Sequence, residues 1–420
     1  MLRLGQRLVA SGRAMRILGA LLPALRLWHP EVRRDPYPTF RRMRERRMTR
    51  MRLFGGWIAG RYEDVERLLR EPCFSTNREA VPLMKALRRA AEGAPEFREL
   101  LENNLLMLDG PRHRRLRGLV SKAFTPRRVE ALRPRIEALV DELLEQAGDR
   151  GSIDLIADLA RPLPAVVIAE LLGVPAADLT RFCEWSDAVA TLLDPLSGRD
   201  GLEPPKRALQ GLGACFRGLL EERRRAPRDD LLSAMIAAEE DGERLSEGEL
   251  VALAALLLAA GNETTTNLIG NAVLLLLRHP GERKRLQDDP ALVPSAVEEC
   301  LRFEPPVQLT DRAVVEPVEL GGVRLAPGTI VVALLAAANR DPERFAEPER
   351  FDVGRRENRH LSFGLGSHFC LGAALARLEA QAALGGLLRR FPEFRGPQEP
   401  PAWKPSVVLR GPASLPLRLG

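Results

Sequence analysis

Apolar residues recur with a helical period through most of the chain. They fall on one side in Arg135 to Ala147, Leu163 to Leu172, Ala208 to Arg224, Ser246 to Arg278 and Leu371 to Arg390, a pattern that predicts five core-facing helices. The segment from Ser246 to Arg278 is apolar almost all round, at Leu253 to Ala260 and again at Leu268 to Leu277, so it predicts a helix buried at the centre of the molecule. Strand-like stretches are short. Met48 to Phe54 and Trp57 to Arg61 flank Gly55-Gly56, a two-residue turn signal for a hairpin. Val314 to Leu320, Ile330 to Leu335 and Leu415 to Leu419 also read as strands. The Pro/Gly-rich stretches at 194–205 and 391–405 bring no lasting change of composition and read as surface loops. The expectation is a mainly α fold with small β-sheets, folded as one unit over residues 31–420.

Composition changes this picture at the N-terminus. The 420 residues are 45% apolar and 29% charged, an ordinary balance for a soluble globular protein with a large core. The net charge of +6 is unevenly spread: residues 1–60 hold fourteen Arg against Glu31, Asp35 and Glu45, so the rest of the chain is net acidic. The basic balance therefore gives no support for nucleic-acid binding by the body. Residues 1–30 stand apart as a basic amphipathic extension. Met15, Leu18, Leu22 and Leu25 form a stripe beside Arg13, Arg16 and Arg26, which fits equally a helix docked on its own domain or one lying on an anionic membrane surface. The longest uncharged run in 1–28, Ile17 to Leu25, is nine residues, too short to span a bilayer.

Several chemistries lose support at once. Five cysteines, at 73, 183, 215, 300 and 370, form no CxxC pair and no even-numbered framework, which argues against a zinc ribbon and places the chain in a reducing compartment. No phosphate loop ending in Gly-Lys-Ser/Thr, no GxGxxG fingerprint and no GxSxG elbow occurs. The five histidines contain no His-x-x-x-His, which removes a zinc hydrolase.

What remains is concentrated in four places. In Phe363-Gly364-Leu365-Gly366-Ser367-His368-Phe369-Cys370-Leu371-Gly372, three glycines allow a tight backbone path and close approach by a flat ligand. Cys370 stands before a strong helix, whose first amides are expected to lower its pKa and hold it as a thiolate. One thiolate without a second ligand in metal spacing suggests a single axial bond to a haem iron; a buried free cysteine is the plain alternative. Second, Ala260-Gly261-Asn262-Glu263-Thr264-Thr265-Thr266 puts a polar notch into the buried helix, either a proton path or a satisfied polar cluster at a kink. Third, Glu299 and Arg302 are spaced for an ion pair on one helix face. Fourth, His113 and Arg117 share a helix face, which reads as a solvated basic surface or as recognition of a carboxylate or phosphate.

Together, in this order, the four elements resemble the cytochrome P-450 family of haem-thiolate monooxygenases, in the style of its soluble bacterial branch, from about residue 31 to the C-terminus. Asp35-Pro36-Tyr37-Pro38, Tyr62-Glu63-Asp64-Val65, Phe74-Ser75, Asn339-Arg340-Asp341-Pro342 and Pro348-Glu349-Arg350-Phe351-Asp352 add to the resemblance. The resemblance implies a helix-rich lobe and a smaller β-containing lobe around one buried haem b (iron protoporphyrin IX) per chain. Cys370 matches the iron ligand, and Phe363, Gly364, Gly366, Gly372 and Ala260 belong to the matching haem-contact motifs. His113, Arg117, Arg312 and His368 match positions that hold the haem propionates. Glu263 and Thr264 match the acid–alcohol pair that delivers protons during oxygen activation. Glu299, Arg302 and Arg350 match a structural triad on the thiolate side.

The implied reaction puts one oxygen atom from O2 into a C–H or C=C bond of an apolar small molecule of terpenoid, steroid, fatty acyl or polyketide type, a reaction of bacterial secondary metabolism. No flavin or nicotinamide fingerprint is present, so a separate ferredoxin and reductase are implied, with Arg112, Arg114, Arg115 and Arg377 facing an acidic partner on the Cys370 side. Candidate pocket walls are Leu83 to Met107, where Arg88 and Arg89 could read a carboxylate, Leu256 to Ala260, Pro306 to Leu309 and Val407-Val408. Gln308 and Asn262 could orient a polar group. A cytoplasmic monomer is expected, with 1–28 available to the inner membrane surface. The competing readings are a non-catalytic haem sensor or carrier, which would not require the polar notch, and a peroxide-driven haem-thiolate enzyme.

Overall fold

The computed structural model describes residues 29–51, 55–77, 89, 95–148, 150–193, 203–240 and 242–420, so the stripe expected in 1–28 lies outside the described residues. The principal helices are α1 (Tyr37–Glu45), α2 (Tyr62–Arg70), α3 (Gly110–Ala123), α4 (Arg133–Gly148), α5 (Pro162–Leu171), α6 (Leu179–Ala190), α7 (Glu203–Arg225), α8 (Glu247–Arg278), α9 (Val293–Phe303) and α10 (Ala373–Arg390). The axis of the fold is α8. It begins in a capping box: the Ser246 hydroxyl accepts from the Glu249 N–H, and the Glu249 carboxylate accepts from the Ser246 N–H at 2.9 Å. Glu247 and Glu249 sit at its positive end and Arg278 at its negative end.

Between Leu250 and Leu276 the side chains of α8 are buried, each large one stabilising the fold by roughly 1.5–3 kcal/mol. The run is interrupted at Leu257, Ala260, Gly261, Glu263 and Thr264. Leu257, Ala260, Gly261 and Thr264 follow the i, i+3, i+4, i+7 spacing of a single helix face. Around α8 pack α5, α6, α7 and α10, while α10 also meets α4 and α9. Among the described residues, no helix is long and apolar enough to cross a membrane.

The strands used below are β1 (Met48–Met51), β2 (Gly56–Ala59), β3 (Phe74–Ser75), β4 (Ser152–Asp154), β5 (Thr310–Val314), β6 (Ile330–Ala333), β7 (Phe394–Arg395) and β8 (Pro416–Leu419). A mixed sheet runs in the order β1-β2-β6-β5-β3, with β2 and β6 parallel and the other pairs antiparallel. β7, β8 and β4 form a second sheet that ties the C-terminus to the middle of the chain. The expected hairpin is present as β1 and β2, in the register Met48↔Ala59 to Met51↔Gly56, but Gly56 pairs with Met51 inside β2, so Gly55-Gly56 is not the two-residue turn that the sequence predicts. The expected strand from Val314 to Leu320 is two strands: β5 ends at Val314, and Val318–Leu320 pairs with Val323–Leu325 in a separate hairpin. Pro317, which has no N–H to give a ladder, stands at the break. Helix α10 starts at Ala373 rather than Leu371, with Gly372 at its N-cap.

Candidate active site

The loop before α10 is fixed from beneath by Asn339, a fully buried residue. Its side-chain oxygen accepts from the Leu361 N–H at 2.8 Å, its amide donates to the Ser362 hydroxyl at 2.8 Å, and that hydroxyl donates to the Leu301 carbonyl at 2.6 Å. Within the loop, the Cys370 N–H donates to the Phe363 carbonyl at 2.8 Å and the Gly364 N–H to the Leu361 carbonyl. Gly364 and Gly366 both adopt positive φ, +70° and +71°. A Cβ on Gly366 would come within 2.8 Å of the Leu69 carbonyl, so only glycine lets the loop lie against α2.

Cys370 is exposed in this structure, and desolvation by the protein packed around its loop pushes its thiol up. The Gly372 amide, Arg117 and Arg377 act in the opposite direction without overcoming that desolvation. This corrects the expected lowering by helix-start amides. The helix begins three residues later, and the amide that reaches the sulfur is that of Gly372. A bound cation at the sulfur would supply what the amides do not.

Arg117 reaches the same loop from α3, donating to the Phe369 carbonyl at 2.6 Å. One helical turn earlier His113 stacks on His368, with ring centroids 4.2 Å apart and 32° between planes. Burial, reinforced by His368, brings the His113 pKa down to about 4, so the ring is neutral at pH 7. Its Nε2 is buried and has no hydrogen-bond partner. His368 contacts Asp109 at 2.9 Å. Despite its own burial, Asp109 is held well below the usual carboxylate range by His368, the Ser75 hydroxyl and the Thr76 amide. Nothing in the sequence marked Asp109 beyond its place as N-cap of α3, and its carboxylate makes no cap bond there. Arg312, buried on β5 beside β3, donates to the Asp311 carbonyl at 2.8 Å and the Thr310 hydroxyl at 3.3 Å.

On α8 the Thr264 hydroxyl donates to the Ala260 carbonyl at 2.8 Å, the Thr back-bond to i−4. Glu263 forms an ion pair with Lys404 at 2.8 Å, and the Asn267 amide lies 3.5 Å from the same oxygen. The C-terminal segment that supplies Lys404 also meets the 306–309 segment, bringing two of the expected pocket walls together in a cleft that, among the described residues, contains none of α8. The Gln308 N–H donates to the Val408 carbonyl at 2.8 Å, Val307 bridges Leu409, and Gln308, Leu309, Ser406 and Val407 line one cleft with Phe40. Asn262 is turned into the core, donating to the Ser186 hydroxyl at 3.2 Å. Arg88 lies outside the described residues, and Arg89 is exposed.

The thiolate-side triad needs one correction. Glu299 and Arg302 are fully buried and paired through two bonds of 2.8 Å. The second cation on Glu299 is Arg355, at 3.1 and 3.2 Å, and not Arg350. The Arg350 side chain is 56% exposed and pairs with Glu347; only its carbonyl takes part, accepting from Arg302. The arginines expected to face a redox partner also divide. Arg115 is bound to Glu249 and Arg377 to both oxygens of Glu298, while Arg112 donates to Asn103 and Arg114 is exposed.

One cysteine on a glycine-shaped loop, a neutral histidine with an orphaned nitrogen, and cationic groups for a pair of carboxylates fit a haem better than a metal ion alone. Fold and donor set thus match those of a haem-binding helical protein. The family model described as "Cytochrome P450" matches residues 206–414. Cytochrome P450 107B1 of Saccharopolyspora erythraea is 44% identical over 95% of this chain and 98% of its own length. The 6-deoxyerythronolide B hydroxylase of the same organism is 40% identical over 92% and 96%. The solved structure of the Bacillus subtilis 168 bacillaene polyketide synthase cytochrome P450 PksS superposes with a TM-score of 0.86 at 35% identity, covering 94% of this chain and 99% of that one. The chain belongs to the cytochrome P-450 family. It is a monooxygenase of that family, and haem is the cofactor that the family implies.

Proposed function

We propose that this monooxygenase hydroxylates or epoxidises an apolar polyketide-type small molecule, with electrons from a separate ferredoxin and reductase. The observation that carries the reading is the face of α8 at Leu257, Ala260, Gly261 and Thr264. It interrupts an otherwise buried helix with two small residues, an apolar side chain and a hydroxyl. Two relatives support the substrate class: the 6-deoxyerythronolide B hydroxylase and the bacillaene polyketide synthase cytochrome P450. The mostly apolar walls at Leu256 to Ala260, Pro306 to Leu309 and Val407-Val408 suit such a skeleton.

The roles of the residues follow from their placement. Cys370 would hold the iron, and His113, Arg117, Arg312 and His368 would hold the propionates. The bound haem supplies the activation of O2. Because the Thr264 proton is committed to the Ala260 carbonyl, its oxygen is left as an acceptor that can hold a proton-bearing group in place. Glu263, kept in its ion pair by Lys404, stands one residue away to resupply protons through water. We place the enzyme in the cytoplasm.

The test is turnover with ferredoxin, reductase and NAD(P)H under ¹⁸O2. One labelled oxygen in the product and poor turnover with peroxide support the reading. Unlabelled product, or full activity with peroxide alone, overturns it.

A further inference from the structure

Three elements meet beside the Cys370 loop at a carboxylate that neither the core triad nor the propionate set uses. Glu298 on α9 precedes Glu299 but points elsewhere. Its two oxygens accept from Arg377 Nε and Nη2 on α10 at 2.7 and 2.8 Å, and His360 Nε2 lies 3.3 Å from Oε2. The bidentate geometry fixes the plane of the guanidinium. That plane lies over the Phe363 ring, 4.5 Å from its centroid. Phe363 in turn accepts the Cys370 amide through its carbonyl at 2.8 Å. The chain of contacts therefore runs from Glu298 through Arg377 and Phe363 to the backbone of the cysteine.

We propose that Glu298 is a positioning residue for the axial cysteine: it clamps Arg377 on Phe363 and cancels most of its charge, so that the thiolate stays electron-rich. The proposal rests on the haem-thiolate reading above. Two further observations agree with it. Arg377, over the Phe363 ring, and Arg117, bonded to the Phe369 carbonyl, are both held against the Cys370 loop. Although burial would raise it, Glu298 is held down at about 2 by Arg377 and His360, so its negative charge is present throughout the working pH range. An unmatched guanidinium near the sulfur would stabilise negative charge there, weaken donation to iron and favour the reduced metal; an unmatched carboxylate would do the reverse.

Charge and structure can be separated by sign. Glu298→Gln leaves Arg377 unmatched, so the ferric/ferrous potential shifts positive and the Soret band of the reduced carbonyl complex moves toward the neutral-ligand type. Arg377→Gln leaves Glu298 unmatched, and the potential shifts negative. The double variant returns toward the wild-type value. Glu298→Asp and Arg377→Lys keep the charges and stay near wild type. Equal signs for the two Gln variants, or no shift in either, overturn the proposal. If neither Gln variant retains haem while the Asp and Lys variants do, the clamp is only structural and the proposal is likewise overturned. A wild-type protein without a thiolate-type carbonyl spectrum sinks the haem-thiolate reading itself. A normal wild-type spectrum with unmoved potentials sinks this inference alone.

Discussion

Arg302→Lys keeps the charge at the buried triad and removes its geometry. All five N–H bonds of Arg302 are used: Nε and Nη2 bind the two Glu299 oxygens at 2.8 Å, Nη1 donates to the carbonyls of Asn339 and Pro348 at 3.0 and 2.9 Å, and Nη2 also donates to that of Arg350 at 3.1 Å. Lysine has three donors on one atom and cannot span these acceptors. At least two bonds are lost in a site where both partners are fully buried. Each leaves a desolvated acceptor costing ~1–3 kcal/mol. The expected loss is therefore about 2–6 kcal/mol, a large share of the ~5–15 kcal/mol that holds a typical domain together. Urea unfolding by circular dichroism, with haem release followed in parallel, measures it. Because Asn339 links this network to the cysteine loop, haem release should move to lower urea together with the unfolding midpoint. A loss below ~1 kcal/mol at unchanged m-value would refute the assignment of these bonds as the support of the loop.

Further outcomes follow from the same geometry. Arg355→Ala should destabilise by about 2–4 kcal/mol in urea melts, because Glu299 loses a buried cation, while Arg350→Ala stays within ~0.5 kcal/mol. Glu379, buried on α10 near Thr265, is pushed up to about 8 by burial, which outweighs the Thr265 hydrogen bond. Its contribution is present in full below the unfolded carboxyl's pKa of 4.5. It then falls by ~1.4 kcal/mol per pH unit, because the folded state alone keeps the proton, until the loss levels off above about 8. Glu379→Gln should flatten that slope in urea melts run from pH 5 to 9. Thr264→Ala should keep haem but uncouple NAD(P)H consumption from product and raise peroxide; unchanged coupling would assign proton delivery elsewhere. Gly366→Ala, forced to φ +71° against the Leu69 carbonyl, should lower haem retention at equal expression.

The repetitive parts of this fold were open to sequence reasoning because their signals are local. The central helix lies where its apolar run and Ser246 cap put it, one residue short of the expected start. Leu371 fits the apolar period of α10, yet the helix begins two residues later because Gly372 ends the loop. The cysteine loop is contiguous, so its residues could be named together. Partners that meet only through the fold could not. Arg350 and Arg355 are five residues apart in one stretch, and side-chain reach alone decides which meets Glu299. Lys404 lies 141 positions from Glu263, and Asp109 259 from His368. The rise of the Cys370 pKa is not legible in the sequence, because desolvation by the fold around the loop outweighs nearby amides and arginines. Arg377 reads in the sequence as a charge facing a redox partner, and nothing there marks Glu298, 79 positions away, as its counter-ion.

In the proposed function, Cys370 ligates a haem iron as a thiolate. The visible spectrum of the reduced protein with carbon monoxide tests it most directly. A strongly red-shifted, thiolate-type Soret band is expected, lost in Cys370→Ala and kept when Cys73, Cys183, Cys215 or Cys300 is replaced by Ser. A neutral-ligand band in the wild-type protein, or a thiolate band that survives Cys370→Ala, would contradict it.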